Sequence, residues 1–392
     1  MILIRQDSYL RERAFIAAAT AHFFVDVLNN SRTVLMPLLA LSLGLNNKTY
    51  GLMALLYGIG NSLTQPIFGL MADRVGPRWL IAGGLGWMIA FYTIAAAAPD
   101  NIALIAITLA SLGSGAFHPT GTSVAAQARN GQKAQATATF FTVGQMGLFL
   151  GPIMAGQLLE GWGRGSYLVL TAAAFLPFLL SWQWLESRPW TLPAQSSLLK
   201  PHASSVKVPG RGRVLAVLFI LILTLSTVSN ATAEFAPKLF TEMGFSPSYV
   251  GWLSGIRMLA SAIGILVGGI LADRLGDRWP IFLSGAIGLL PYIFYIPAPE
   301  PWRSILLALA GFTSGLPHSI LIVRSQALLP NRQALASGLS LGLMFFCGAV
   351  GAWVMGILAD QLGLVLVLQG MAGMLGVAAA VSYFLPTRSS DK

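Results

Sequence analysis

One stripe of an apolar segment carries side chains that could bind and release a proton. His22, Asp26, Asn29 and Thr33 are spaced i, i+4, i+7 and i+11, so in a helix they share one face. A carboxyl group kept from water favours its protonated form, and an adjacent imidazole or cation changes that preference. The stripe predicts a proton-binding site at Asp26 with His22 beside it. A carboxylate hydrogen-bonded permanently to Asn29, Asn30 or a neighbouring helix is the alternative.

Two further histidines, His118 and His318, lie 200 residues apart on faces of small residues. A proline stands next to each, Pro119 after the first and Pro317 before the second, and we expect a helix break at both. A core histidine with satisfied hydrogen bonds is the alternative for each. Together with His22 and Asp26, the two imidazoles are also competent ligands for a divalent metal.

Other polar side chains in apolar segments are candidates for weaker roles. Thr227, Asn230 and Glu234 share a helical face, and Glu234 is the second candidate for proton coupling; an interfacial acid paired with Lys238 is the alternative. The remaining candidates are two arginines that could attract an anion and one amide that could contact a ligand: Arg257, Arg324 and Gln145.

These residues lie in a chain whose composition is that of an integral membrane protein. Hydrophobic residues make up 55% and charged residues only 10% of 392 residues, and the mean hydropathy is +0.70. Soluble domains carry about 25% charged residues. Several uncharged stretches reach the roughly 20 residues that a helix needs to cross a bilayer. We expect an all-α membrane protein.

Apolar runs between polar breaks predict twelve transmembrane helices in two halves of six. The predicted spans are 14–40, 50–71, 79–98, 101–127, 136–159, 166–186, 213–237, 249–271, 279–297, 302–323, 334–358 and 363–385. The polar connection 187–212 then divides the chain into an N-terminal half, 1–186, and a C-terminal half, 213–392.

The net charge of +10 follows the predicted loops. Eighteen of the 24 Lys and Arg residues fall on the side that holds the N-terminus. By the positive-inside rule both termini are cytoplasmic, so the basicity is a topology signal and we expect no nucleic-acid partner. The single cysteine, Cys347, excludes an intrachain disulfide framework.

The chain carries an internal duplication at an offset of 200 residues. The segments GLMADRVGPRW (69–79) and GILADRLGDRW (269–279) share seven of eleven residues, and further glycines and prolines match at the same offset. Because each half has an even number of helices, six, both halves cross the membrane in the same orientation. The two halves are then related by an axis along the membrane normal.

Twelve helices with this paired turn resemble the major facilitator superfamily. In that superfamily the turn is an intracellular latch whose charged residues contact neighbouring helix ends. The resemblance implies that these residues form the latch: Gly69, Asp73, Arg74, Gly76, Arg78, Gly269, Asp273, Arg274, Gly276 and Arg278. A basic loop that serves only topology is the alternative.

Three segments carry a closer match: HFFVD (22–26), LTQPIFG (63–69) and GSGAFHPTGTSVA (113–125). They resemble the fosmidomycin-resistance type of drug efflux permease, with Thr120 and Ser123 in place of an acid and an arginine. The segment Gly147, Gly151, Pro152 and Gly156 resembles the antiporter motif of the superfamily. Ordinary close packing is the alternative for these small residues.

The resemblance implies proton-coupled efflux of a small organic molecule or drug by alternating access in the plasma (inner) membrane. A central cavity would be lined by Asn29, Asn30, His118, Gln145, Asn230, Arg257, His318 and Arg324. We expect a monomer in the lipid bilayer, with a small-molecule substrate and no cofactor beyond the coupling proton. A divalent-metal or organic-anion carrier is the alternative.

Other classes of protein fit the sequence less well. An ATP-driven pump needs a phosphate-binding loop, and GLNNKT (44–49) lacks the required glycine before Lys48. Histidine and aspartate could serve acid–base chemistry in an intramembrane enzyme, but no HExxH, GxSxG or nucleophile pair is present. A non-transporting receptor on this scaffold is disfavoured because both halves keep the latch segment. We therefore expect a transporter and not an enzyme.

Overall fold

The computed structural model describes residues 9–127, 132–188, 211–327 and 333–385. Within these ranges the side chains of Asp73, Ala134 and Arg211, and of 326–327 and 333–341, are not described. Every regular element in the described ranges is a helix. The prediction of an all-α protein is confirmed for this part of the chain.

Helices α1 to α7 follow one another in the first 184 residues. They are α1 (Arg13–Ser42), α2 (Asn47–Gly58), α3 (Gln65–Val75), α4 (Pro77–Ala97), α5 (Asp100–Ala126), α6 (Lys133–Trp162) and α7 (Tyr167–Trp184). Two short 3-10 turns, Tyr9–Arg11 and Arg164–Ser166, and a π-helical turn, Ile59–Leu63, complete this part.

Helices α8 to α14 form the second series. They are α8 (Arg211–Glu242), α9 (Pro247–Leu275), α10 (Arg278–Phe294), α11 (Trp302–Gly315), α12 (His318–Ala327), α13 (Gln333–Leu362) and α14 (Leu364–Ser382). Each predicted span overlaps one of these helices or an adjacent pair.

Two predicted spans are interrupted. The span 50–71 divides into α2, the π-helical turn and α3, and the span 302–323 divides into α11 and α12 around Pro317. The expected break at Pro119 is wrong, since this proline lies inside α5. A proline near a glycine does not by itself break the helix, since Pro119, with Gly121 two residues after it, lies within continuous α5.

Several helices have the length and composition of membrane spans. Among the described residues nine are apolar and long enough to cross a bilayer, and α10, with 17 residues, is a shorter apolar helix. Large apolar side chains such as Leu70, Leu176 and Leu266 are exposed on helix surfaces, as lipid contact requires. The twelve-span count and the orientation of the termini stay predictions.

The chain forms two compact units. Unit 1 comprises Met1–Leu45, Leu56–Leu192 and Phe240–Gly255, and unit 2 comprises Asn46–Leu55, Pro193–Leu239 and Ile256–Lys392. Both units therefore contain one short segment from the other sequence half. The predicted boundaries 1–186, 187–212 and 213–392 follow the repeat and stay a prediction, and most of the connection 187–212 lies outside the described residues.

In unit 1, α1 packs along α6 and α5. Glycines of α6 allow the close approach: a Cβ at Gly147 would lie 2.3 Å from the carbonyl oxygen of Phe23, and one at Gly151 would lie 2.5 Å from that of Val27. Small residues at such spacing let helix backbones touch in a membrane. The packing holds the polar stripe of α1 against α5 and α6.

Unit 2 is built in a similar way from α10, α11 and α14. A Cβ at Gly285 of α10 would lie 2.4 Å from the carbonyl oxygen of Leu375 of α14, and one at Gly264 of α9 would lie 2.1 Å from that of Phe312 of α11. Glycine contacts thus set the helix spacing in both units.

Candidate functional site

Asp26 of α1 lies between two imidazoles in unit 1. Its Oδ2 is 3.2 Å from Nε2 of His22, one turn earlier on α1, and its Oδ1 is 3.5 Å from Nε2 of His118 on α5. Asp26 is only 5% exposed and His22 only 2% exposed. Three candidates from two helices thus meet at one carboxyl group. His22, Asp26 and His118, whose side chain is 22% exposed, are called the buried triad below after the buried carboxyl group at its centre.

Backbone carbonyl groups assign the tautomers of both rings. Nδ1 of His22 lies 2.9 Å from the carbonyl oxygen of Phe140, and Nδ1 of His118 lies 2.8 Å from that of Ser114. A carbonyl oxygen only accepts, so each Nδ1 carries a hydrogen and each neutral Nε2 holds a lone pair. Two lone pairs then face the Asp26 carboxylate. A hydrogen bond between either Nε2 and the carboxylate therefore requires one further proton, bound to an Nε2 or to Asp26.

A polar network surrounds the Asp26 carboxylate. Nδ2 of Asn29 donates to Asp26 Oδ1 at 3.2 Å and to Ser114 Oγ at 2.8 Å. The Ser114 hydroxyl donates to Asn61 Oδ1 at 2.7 Å, and the Tyr57 hydroxyl donates to Asn29 Oδ1 at 2.6 Å. The hydrogen bond between Asn29 and Asp26 is thus present together with the imidazole contacts. The network fixes the carboxylate on the α5 side of α1.

Helix α6 forms the other wall of the buried triad. The ring of Phe140 stacks on His22 with a centroid distance of 4.0 Å. A Cβ at Gly144 would lie 2.4 Å from Cε1 of His22 and 2.7 Å from Oδ2 of Asp26. Sequence reasoning did not select Phe140 or Gly144. Gly144, Gly147 and Gly151 follow i, i+3 and i+7, and this spacing could have indicated a face of α6 that touches α1.

Comparison with known families bears on what this site serves. The sequence profile of the Major Facilitator Superfamily matches residues 18–239 and 217–392. The chain belongs to the Major Facilitator Superfamily. The fold class expected from the paired turn is thereby confirmed at the level of the family, and the chain is a transporter of this superfamily and not an enzyme.

Relatives in the superfamily include named resistance proteins. The chain is 28% identical to the fosmidomycin resistance protein of Escherichia coli K12 over 376 residues, which cover 94% of this chain and 92% of the relative. It is 26% identical to the multidrug resistance protein MdtG of Salmonella paratyphi A over 278 residues, which cover 69% of this chain and 67% of the relative. The sequence prediction of a resemblance to drug efflux permeases is confirmed.

Solved structures share the superfamily fold. A bacterial homolog of the human lysosomal transporter Spinster, in an inward-facing and unoccupied conformation, aligns with a TM-score of 0.77 at 16% identity, covering 96% of this chain and 97% of that one. The nucleoside transporter NupG aligns with a TM-score of 0.74 at 16% identity, covering 95% of this chain and 98% of that one. At this identity the likeness shows the fold.

The glycine of the superfamily turn has the same backbone φ in both halves. Gly76 and Gly276 both have φ of +85°, a left-handed conformation that favours glycine. Nε of Arg78 donates to the carbonyl oxygen of Leu185 at 2.7 Å, and Nε of Arg278 donates to that of Leu385. Each arginine therefore ties its turn to the end of the last helix in its own half.

The other members of the turn lie on helix surfaces. Arg74, Asp273 and Arg274 are exposed. A Cβ at Gly69 would be 3.8 Å from Pro119, and one at Gly269 would be 3.7 Å from Ser319. The side chain of Asp73 lies outside the described residues. The latch role of the two acids stays a prediction.

The antiporter-like segment of the superfamily lies on α6. Gly147 and Gly151 pack on α1, as described above. Gly156 touches the start of α9, where its Cβ would lie 2.3 Å from the carbonyl oxygen of Pro247, and a Cβ at Gly251 would lie 2.2 Å from that of Pro152. The close packing of small residues is therefore present in unit 1. A role of this segment in antiport stays a prediction.

The remaining candidates of the first half lie on α1 and α6. Nδ2 of Asn30 donates to the carbonyl oxygen of Leu148 on α6 at 2.5 Å. Gln145, on α6, is exposed. The structure does not bring either amide to Asp26.

The candidates of the second half are dispersed in unit 2. Nδ2 of Asn230 donates to the carbonyl oxygen of Ser226 at 3.1 Å. Glu234 and Arg257 are both buried. Arg324 forms an ion pair with Asp277, a partner that sequence reasoning did not select. In the described part of unit 2 these residues do not form a second triad.

The buried triad is not repeated in the second half. At the offset of 200 residues, Ile222 and Ser226 stand at the positions of His22 and Asp26. His318 begins α12 and is partly buried. The prediction that His118 and His318 both line a central cavity therefore rests on their equivalent positions alone, since of the two only His118 has a carboxylate beside it in the described residues.

Proposed function

We propose that the chain is a secondary active transporter that exports a small organic molecule in exchange for protons by alternating access. The observation that carries the proposal is the buried triad, where two imidazole nitrogens face one carboxylate. A charge inside a membrane span is costly when dry, so such groups usually serve a cavity or a proton relay. Proton binding at Asp26 would then depend on which side of the membrane wets the triad.

The proposed cycle uses competition between proton and substrate. A proton from outside binds to the triad, the transporter opens inward, and substrate binding favours release of the proton to the cytoplasm. Because each ligand favours a different state, each weakens the binding of the other. The proton gradient can then drive the substrate outward.

The setting of this cycle is the plasma (inner) membrane. We propose twelve spans with both termini in the cytoplasm, as the distribution of Lys and Arg favours, and a monomer without a cofactor. The bacterial relatives support the choice of membrane. Glu234 is the second candidate for a proton site.

The substrate class is proposed from the relatives. Two of them are named for resistance to fosmidomycin or to multiple drugs. We therefore propose a drug-like organic molecule, and we choose fosmidomycin as the first probe. The likeness of the segment Gly147 to Gly156 to the antiporter motif supports exchange.

A divalent-metal carrier is the second candidate. Ligand atoms of His22, Asp26 and His118 all lie within 4.8 Å of one another, and two imidazoles with a carboxylate suit zinc. An organic-anion carrier is a third candidate function, since Arg257 is buried in unit 2 and its positive charge could attract an anion.

An assay in proteoliposomes separates the proton-coupled exporter from the divalent-metal carrier. Fosmidomycin and Zn²⁺ are offered in turn, with and without an imposed proton gradient. Accumulation of the drug that requires the gradient supports the proposal. If Zn²⁺ moves without a gradient and the drug is not transported, the exporter proposal is wrong and the metal carrier takes its place.

His118→Gln should change the pH dependence of transport, whereas His318→Gln should not. Of these two histidines only His118 contacts the Asp26 carboxylate, so its loss removes one of the two imidazoles that flank the carboxylate. The two variants form a matched pair because they change the same residue type at equivalent positions. Initial transport rates over a pH series measure the effect, and identical profiles for both variants would contradict the assignment of His118.

Asp73→Asn should slow transport without preventing folding or membrane insertion. In the latch hypothesis the charge of this residue stabilises the closed cytoplasmic ends, so its loss changes the balance between the two open states. Transport rate per inserted molecule measures the effect, with Glu242→Gln as a control at an exposed acid. A wild-type rate in Asp73→Asn would refute the latch role.

A further inference from the structure

In unit 2 a carboxylate covers the first turn of a helix. Asp360 lies near the end of α13, and its two oxygens accept hydrogen bonds from the backbone N–H groups of Asn47 at 2.8 Å and Lys48 at 2.9 Å. Oδ1 of Asn46 accepts from the N–H of Thr49 at 2.9 Å. The first N–H groups of a helix lack intrahelical partners, and they carry its positive dipole end. Asp360 supplies both an acceptor and an opposite charge.

Unit 1 contains the equivalent contact. Glu160 lies near the end of α6, and its Oε2 accepts a hydrogen bond from the backbone N–H of Ser248 at 3.0 Å. Helix α9 begins at Pro247, which has no N–H. Ser248 is therefore the first donor of this helix, and Glu160 occupies the place that Asp360 occupies on α2.

The two contacts are copies of one arrangement. Glu160 and Asp360 are 200 residues apart, and so are Lys48 and Ser248. Four residues before each acid stands a glycine: a Cβ at Gly156 would lie 2.3 Å from the carbonyl oxygen of Pro247, and one at Gly356 would lie 2.4 Å from that of Asn47. Each half thus keeps both an acid and the glycine that lets the helix start come close.

Each contact joins a helix of one sequence half to a helix of the other. Helix α2 belongs to the first half by sequence and α13 to the second, whereas α6 belongs to the first and α9 to the second. The charge distribution assigns these helix ends to the side opposite the termini, outside the cell. Transport by alternating access would require these contacts to part when the outer side opens.

We propose that Glu160 and Asp360 are positioning residues that hold the outer side closed, and we call the two contacts the carboxylate clamps. This inference rests on the proposed function, since only a chain that alternates between two states needs them to open. The clamps would complement the duplicated turn on the cytoplasmic side. Lys238 adds a hydrogen bond from Nζ to Oδ1 of Asn47 at 2.8 Å, so the clamp in unit 2 has a further tie.

Distances between spin labels test the clamps in proteoliposomes. In a Cys347→Ser background, one pair of labels is placed at Lys48 and Leu362 and the other at Met243 and Trp162, whose side chains are exposed. Glu160→Gln, Asp360→Asn and the double variant keep the shape of the side chain and one acceptor oxygen but remove the charge, and Asp360→Asn also removes one of the two acceptors that Asp360 uses. Glu300→Gln is the control, because Glu300 is an exposed acid that accepts a hydrogen bond from Ser304 in the following helix.

We expect each single variant to increase the ratio of long to short distances about two- to fivefold at both label pairs, the range for a charge at a helix terminus. The double variant should approach the product of both effects. Glu300→Gln should match the wild type. Unchanged distributions in well-folded, monodisperse Glu160→Gln and Asp360→Asn would overturn the inference. Such a result would leave proton coupling at Asp26 standing, because that coupling is measured by transport and not by these distances.

Discussion

Asp26→Asn should abolish proton-driven accumulation of substrate while sparing its downhill exchange. The amide preserves the size of the side chain and cannot bind or release a proton. A proton gradient drives substrate only if proton binding and substrate binding are coupled, so without a proton site the ratio of substrate across the membrane should fall to about one. Radiolabelled fosmidomycin in proteoliposomes with an imposed pH gradient measures this ratio.

Glu242→Gln is the control for the change from acid to amide, since Glu242 is exposed at the end of α8. It should accumulate substrate like the wild type. If Asp26→Asn also concentrates substrate with unchanged pH dependence, the proton binds elsewhere. Glu234, the second candidate in sequence and a buried acid in unit 2, would then be tested in the same way.

Gly144→Ala should cause nearly as large a loss of transport, although it changes no polar group. The added Cβ would lie 2.4 Å from Cε1 and 2.5 Å from Nε2 of His22. Stacking on Phe140 leaves the imidazole little room to retreat, so the contact of His22 with Asp26 breaks or α1 moves away from α6. Overpacking of this kind costs about 1–3 kcal/mol. We expect a lower melting temperature and loss of proton-driven accumulation.

Gly161→Ala is the matched control on the same helix. Gly161 also lies on α6, and a Cβ there would meet nothing within 4 Å. It should transport like the wild type. A Gly144→Ala variant with wild-type accumulation and melting temperature would mean that the triad tolerates displacement and that its geometry is not what couples the proton.

Much of this architecture could be read from the sequence because the duplication preserves it. The equivalent positions of Gly76 and Gly276 in the repeat predict the same turn in both halves, and both glycines take the same left-handed conformation. The spacing of His22, Asp26 and Asn29 predicted one helical face, and the structure places all three beside α5. These features depend on local periodicity, which a sequence displays directly.

Contacts between distant segments could not be read in the same way. The carbonyl group that orients His22 belongs to Phe140, 118 residues away, and any residue type could supply it. The π-helical turn Ile59–Leu63 and the ion pair of Arg324 with Asp277 depend on tertiary packing. The charge of Arg324 suggested a site for an anionic substrate. The sequence did not show that the carboxylate of Asp277 would lie beside it.

Substrate-driven proton movement tests the central claim most directly. Proteoliposomes with a pH-sensitive dye in a weakly buffered lumen receive a gradient of fosmidomycin, with no proton gradient imposed. The account predicts that wild-type transporter moves protons against the flow of the drug and that Asp26→Asn moves none while still exchanging the drug. Drug flux without any proton movement in the wild type, or undiminished proton movement in Asp26→Asn, would contradict it.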